Sequence, residues 1–347
     1  MKVILIGTGR RPIPPIGYGG IERTIAELAT ALRAAGAEVE VVNRSRLDRF
    51  TTGWAFERAL PRLLRERRGD VVHAHTSRAA LVLGLIGRPY VYTTHTPHWL
   101  YRQNWAQRML FQRERQAVRG AQASIALTDP FRRILEGVGG RRGPVVTIPI
   151  GVDTARFRPT GPPEPHRVLG VGTIEPRKRW HLAARAVRES GIRLRLVGPL
   201  RDVEYARKVA GEGAVLLGEV NDEALREELA RAICLVHPSD SEVLPGAVLQ
   251  AMAAGRVAVG GPAISAIPGT LHSPTNGEAE VESFLRTTVQ ELDQDLERVQ
   301  RLGLEARAIV EREYAWSAVA RAHLDLYRRC SRTIARGEVP RRPSAAE

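Results

Sequence analysis

Apolar residues along this chain fall into two alternating rhythms. Short β-branched runs at 2–6 (KVILI), 39–42 (VEVV), 71–75 (VVHAH), 90–94 (YVYTT), 124–127 (SIAL) and 145–149 (VVTIP) predict buried parallel strands. Between them the spacing predicts helices near 20–35, 55–67, 77–86, 102–118 and 129–137. In the first of these, Ile21, Ile25, Leu28 and Leu32 recur at helical period, and Gly36 stands where a C-terminal cap belongs. Such alternation predicts an α/β fold with a doubly wound parallel sheet.

The segment 158–166 (RPTGPPEPH) holds four prolines and a glycine and reads as a linker, since proline continues neither a helix nor a central strand. Strand runs then resume at 167–171, 192–197, 214–217, 233–237 and 257–260, with helices between them. From about 278 to about 332 the pattern is helical, and the polar stretch from Arg336 reads as a disordered tail. Two such sheets predict two Rossmann-like domains facing a cleft, with ligands at the carboxyl ends of the strands.

Composition supports this picture. A chain of 347 residues, 43% hydrophobic and 26% charged, can bury two cores. It has no apolar run of about 18 residues. MKVILIG reads as a first strand rather than a secretion signal, and Cys234 and Cys330 alone make no disulfide framework or zinc site. These readings predict a cytoplasmic protein. Lys and Arg exceed Asp and Glu by 52 − 38 = 14. That excess attracts phosphates, but it is spread through helices without a nucleic-acid motif, so specific nucleic-acid binding is not expected.

Three stretches carry candidate chemistry. Gly17-Tyr18-Gly19-Gly20-Ile21-Glu22 leads into the first helix, where glycines admit a close ligand and the helix start offers free N–H groups to an anion; a plain connector is the other reading. Gly172-Thr173-Ile174-Glu175-Pro176-Arg177-Lys178-Arg179 ends the first strand of the second sheet, and its three cations suit a diphosphate or a solvated turn. The stretch from Pro238 to Gly255 leaves a strand, turns through Pro245-Gly246 and enters a small-residue helix. It would carry Ser239, Glu242 and Gln250 toward the ligand, with the positive end of the helix. His73 and His75 read as structural strand-end histidines; His98 and His181 carry no motif, and no pair has metal spacing.

Taken in order, these sites resemble the retaining GT-B glycosyltransferases of family 4. Gly19-Gly20-Ile21-Glu22-Arg23 is similar to the family's opening turn, Thr93-Thr94-His95-Thr96 to its mid-domain histidine, and Ile148-Pro149-Ile150-Gly151-Val152-Asp153 to its domain junction. Lys178 matches the donor lysine, Glu242 the first motif glutamate, and Gln250-Ala251-Met252-Ala253-Ala254-Gly255 the motif's end. The last helix, with Tyr314-Ala315-Trp316-Ser317, resembles the one that crosses back to the first domain.

The resemblance implies an acceptor-side domain over 1–158, a nucleotide-sugar domain over 166–315, a crossover helix over 316–332 and a tail over 336–347. It further implies metal-independent transfer, with retention, from a nucleotide-sugar donor to an unidentified glycan, lipid or small molecule. Glu242, His95 and Lys178 would be catalytic. Gly19, Gly20, Thr173, Arg177, Lys178, Ser239, Gly246 and Gln250 would bind the donor. Lys178 and Arg177 would neutralise the departing diphosphate, Glu242 would hold the sugar, and His95 would bond it from the other domain. Three positions depart from the family: Gln250 for a ribose-binding glutamate, Pro245 for a glycine, and Thr173 for a frequent arginine. They keep open a non-catalytic or weakly active GT-B subunit, with a nucleotide-sugar epimerase as a further alternative.

Acceptor signals are sparse. Between Pro97 and Arg115, aromatic residues alternate with arginines, and Tyr101, Trp105 and Met109 share a helical face. A core stripe with a solvated basic back is the plainer account; peripheral contact with an anionic membrane, at its cytoplasmic surface, is the other.

Overall fold

The computed structural model describes residues 1–17, 19–43, 53–95 and 104–335. They form two units, one made of Met1–Gly151 and the chain from Trp316 onward, the other of Val152–Ala315. Tyr18, Thr96, the stretch from Pro97 to Arg102 with His98 and Tyr101, and the tail over 336–347 lie outside the described residues.

In the first unit, β1 (Lys2–Ile6), β2 (Glu38–Val42), β3 (Val71–Ala74), β4 (Val91–Thr93), β5 (Ala123–Ala126) and β6 (Val145–Thr147) form one parallel sheet in the order β2-β1-β3-β4-β5-β6. Helices α1 (Gly20–Ala34), α2 (Gly53–Leu64), α3 (Ser77–Leu85), α4 (Trp105–Gly120) and α5 (Asp129–Glu136) connect the strands. Every residue of β3, β4 and β5 is buried, which is why these strands read as continuous runs rather than alternating ones.

The second unit repeats the plan. Strands β7 (Arg167–Val171), β8 (Arg193–Val197), β9 (Val215–Gly218), β10 (Cys234–His237), β11 (Val257–Gly260) and β12 (Leu271–His272) pair in the order β12-β11-β10-β7-β8-β9, all parallel. Its helices are α6 (Trp180–Val187), α7 (Val203–Gly211), α8 (Asp222–Arg231), α9 (Gly246–Ala253), α10 (Glu278–Gln294) and α11 (Leu296–Glu313). Chain order reverses beside β1 in one sheet and beside β7 in the other. Ligands of doubly wound sheets bind at such switch points.

The last helix, α12 (Trp316–Ala335), belongs to the first unit. Val319, Ala320 and Tyr327 enter the core beside Val3, Leu5 and Ile25, and Trp316 Nε1 donates to Glu27 Oε2 at 2.9 Å. Gly151 is required there, because a side chain would fall 2.3 Å from the Trp316 ring.

Two expectations change. The proline-rich segment 158–166 packs inside the second unit instead of linking the two. Glu164 N–H donates to Arg231 O at 2.9 Å, and Arg256 Nη2 donates to Gly161 O at 2.7 Å. Proline bars helix and central strand, but it does not bar packing. The sheet also gains β12, whose two residues are too few to leave a periodic signal.

Candidate functional site

A polar cluster of the second unit lies at the carboxyl ends of β7 and β10, the switch point of its sheet. After β7 the chain bends at Gly172, whose φ is 155°, and a side chain there would meet Lys178 Cε at 3.3 Å. Lys178 is buried and ends the short turn Pro176–Lys178. Arg179 follows in the left-handed region, φ 51° and ψ 33°. Its guanidinium is tied to Asp240 at 2.6 Å and to the Asn276 carbonyl at 2.9 Å, contacts that compensate an unfavourable backbone. This bend turns Lys178 inward and seats Trp180 in the core, its Nε1 donating to Thr173 O at 2.9 Å.

Glu242 lies on the loop after β10. Lys178 Nζ donates to its Oε1 at 2.5 Å and Arg177 Nη1 to the same oxygen at 3.1 Å. His237 Nε2 stands 3.6 Å from that oxygen, beyond a good hydrogen bond, and 3.2 Å from Ser239 Oγ. Burial acts to raise the Glu242 carboxyl, but His237, Lys178 and Arg177 overcome it and hold the group well below the usual carboxylate range. Burial lowers the His237 imidazole. Each of the three cations has a carboxylate partner: Arg177 with Glu175 and Glu242, Lys178 with Glu242, Arg179 with Asp240. A lysine ammonium has three donors, so the bond to Glu242 leaves two for a ligand.

Thr173 Oγ1, His237 Nδ1 and Ser241 Oγ are buried in this cluster without a hydrogen-bond partner. Buried polar atoms are ordinarily paired, so three together mark a place built for something polar. Ser239 is fully buried. Helix α9 begins at Gly246 with Pro245 as its N-cap, and no side chain caps it. The N–H that proline lacks is therefore not a first-turn donor, and Gly246 and Ala247 keep theirs. Gln250 lies one turn further along α9 and shares no hydrogen bond with Glu242 or Lys178.

In the first unit, Gly19 caps α1 without a side-chain bond, and Glu22 in its first turn accepts from Thr8 Oγ1 at 2.5 Å. A side chain at Gly19 would press on Pro15 at 2.9 Å, whereas one at Gly20 would meet nothing within 4 Å. His95 follows β4, and its Nε2 lies 3.0 Å from His75 Nδ1 at the end of β3, the rings stacked at 5.3 Å. The other ring nitrogen of His75, Nε2, is buried without a partner. A proton there would be a buried donor with no acceptor, so it belongs on Nδ1, donating to His95. His95 then carries its own proton on Nδ1.

Behind them, His73 bridges Tyr327 Oη and Thr93 Oγ1, both at 2.7 Å, and His323 Nδ1 donates to Val319 O at 2.9 Å. Burial, with the neighbouring imidazoles, lowers this group: His73 and His75 well below the usual value, His95 to about 4. Burial takes His323 to about 4 as well, against its bond to Val319 O.

Motif order brought Lys178, Arg177, Glu242, Thr173 and Ser239 to one place. It missed His237 and Ser241, and it missed that His75 supports His95. The alternating histidines 73 and 75 at a strand end were the available signal.

Comparison with known proteins adds the following. Residues 18–156 match the model of Glycosyltransferase Family 4, and residues 165–298 that of Glycosyl transferases group 1. Glycogen synthase of Mycobacterium tuberculosis (strain CDC 1551 / Oshkosh) is 28% identical over 90% of this chain and 92% of its own. Sucrose-phosphate synthase from Thermosynechococcus elongatus superposes with a TM-score of 0.81 at 19% identity, over 94% of this chain and 98% of its own. Anabaena Alr3699/HepE in complex with UDP and glucose gives 0.74 at 17% identity, over 94% and 99%.

Proposed function

Since the chain belongs to the glycosyltransferases of family 4, its second half of the group 1 type, we propose that it moves a sugar from a nucleotide-sugar donor to its acceptor with retention of configuration and without a metal. The observation that carries this reading is the cluster around Lys178 and Glu242. It combines two cations, a carboxylate kept ionised, and buried Thr173, His237 and Ser241 atoms wanting partners. That combination suits a diphosphate joined to a polyhydroxyl ring. The Anabaena relative, which holds UDP and glucose, agrees with this choice of ligand.

In this reading the limiting cost is negative charge gathering on the departing diphosphate. The two remaining Lys178 donors and the first N–H groups of α9 at Gly246 meet it. Arg177 keeps Glu242 anionic, and Glu242 faces the positive charge developing at the anomeric carbon. Thr173 and Ser239 complete the polar lining, Gln250 takes the ribose, and Gly19 and Gly20 give phosphate access to the start of α1. His95 offers its Nδ1–H to a sugar oxygen. These fixed groups supply the charge that a metal provides elsewhere. Attack on the same face, with the donor phosphate taking the acceptor's proton, gives retention.

We place the enzyme in the cytoplasm, meeting the anionic inner membrane surface with its basic first unit. Among the described residues no helix is long and apolar enough to cross a membrane, so the contact is peripheral. The test is thermal shift against a panel of nucleotide sugars with and without magnesium, for wild type and Lys178→Ala. One donor should stabilise wild type equally in both conditions and the variant far less, by roughly tenfold in affinity for a lost charged bond. Equal shifts in both proteins would remove Lys178 from the site. The anomeric configuration of the product, read by NMR, tests retention.

A further inference from the structure

Away from these clusters the first unit carries a groove of about 440 Å³ between α2, α3 and α4, within the range of small-molecule sites. Its floor is aliphatic. Leu81, Val82 and Leu85 project from α3, and Pro61 faces them from α2. Arg58, Arg78 and Arg113 stand around it, one from each helix, with Glu57 as the carboxylate among the described lining residues. Glu57 is buried and lies 3.4 Å from Arg78 Nη1, so it positions that guanidinium at the groove.

The apolar surface continues outward. Arg78, Leu81, Val82 and Leu85 follow helical spacing on one face of α3, yet Leu85 is 79% exposed and Ile86 after it 42%. On α4, Trp105, Met109 and Arg113 share a face at i, i+4 and i+8. Trp105 is 75% exposed and Met109 46%, so the core stripe expected from their spacing is not what forms.

We propose that this groove binds one anionic membrane lipid, its hydrocarbon chain along the α3 face and its head group between Arg58, Arg78 and Arg113. The inference deepens the membrane-surface reading above and rests on it. The lining argues for this occupant. Among the described residues the lining is aliphatic and carries no aromatic ring for a stacked base, and cations around an apolar floor fit an anion joined to a hydrocarbon. Leu85, Ile86, Trp105 and Met109 are then the residues that meet the bilayer.

The test is cosedimentation of the full chain with phosphatidylglycerol vesicles and with phosphatidylcholine vesicles. Wild type should bind the first far better than the second. Leu85→Asp should weaken that binding about tenfold or more, as expected for losing one buried leucine. Arg58→Ser should weaken it about fivefold. Arg188→Ser, an equal loss of charge in the second unit, should change it less than twofold. All four proteins should melt alike and keep the same shift with nucleotide sugar, which reads the transfer site independently. Absence of binding to anionic vesicles would overturn the lipid site and the surface reading together. If Leu85→Asp binds like wild type and Arg58→Ser like Arg188→Ser, net charge alone holds the membrane and the groove proposal fails.

Discussion

Between about pH 7.5 and about pH 5.5, acidification should destabilise this protein. His73, His75, His95 and His323 all have folded values far below the ordinary 6.5 because burial disfavours the charged ring. A group with a depressed folded value contributes stability above its unfolded value and loses it as the pH falls. For His95 and His323, both at about 4, the loss between about pH 7.5 and about pH 5.5 is about 1 kcal/mol each, and His73 and His75 deepen it in the same direction. Glu114 works against them. Burial raises its carboxyl to about 7 from 4.5, against its bonds from Tyr92 and Ser77, so its contribution is lost as the pH rises through about 7 and returns on acidification. Over the same interval it restores about 2 kcal/mol, largely offsetting His95 and His323 and leaving His73 and His75 to set the net loss. His237 adds to the loss and Glu57 to the offset. Urea melts of the full chain at the two pH values measure the difference. Glu114→Gln, which can still accept the Tyr92 hydroxyl, should deepen the loss by about 2 kcal/mol, and His323→Phe should shrink it by about 1 kcal/mol. A wild type whose stability is level across this range, with Glu114→Gln no steeper, would refute the reasoning.

Three further outcomes follow from the site geometry. Gly19→Ala should lower stability by about 1 kcal/mol through its clash with Pro15, while Gly20→Ala should melt no lower than wild type yet bind nucleotide sugar less well; equal binding would remove the start of α1 from the phosphate site. Gln250→Glu should tighten nucleotide-sugar binding about tenfold if this side chain meets the ribose, since a carboxylate accepts more strongly than an amide, and an unchanged affinity would place Gln250 elsewhere. His75→Asn should leave His95 without its fixed donor. Nitrogen NMR should then show a mixture of His95 tautomers and kinetics a KM raised about tenfold at similar kcat; a single unchanged tautomer would show that His75 does not orient it.

Much of the fold is legible because strands buried on both faces leave continuous apolar runs, as β1 does from Val3 to Ile6. The Lys178 and Glu242 stretches are legible as well, since each follows a strand and precedes a helix. What stayed hidden is what depends on neighbours. Spacing put Trp105 and Met109 on one face but not on which side that face would lie. The prolines of 158–166 excluded regular structure without revealing the hydrogen bonds to Gly161 and Glu164. Nor could twenty residues of separation disclose that His75 meets His95, because that contact needs β3 and β4 side by side.

The second unit is one unbroken stretch of chain, Val152–Ala315, inserted between two parts of the first. Its ends are clasped: Val152 N–H donates to Tyr314 O at 2.8 Å, and Val152 bridges Ala315 in parallel. During synthesis the two sheets therefore cannot mature in the order in which they are translated. The first sheet emerges from the ribosome early but lacks Val319, Ala320 and Tyr327 until the final helix appears. The inserted unit has all its strands and core residues by then. The half translated first is thus the half completed last, and it is the one whose nascent form keeps apolar surface open to chaperones for longest.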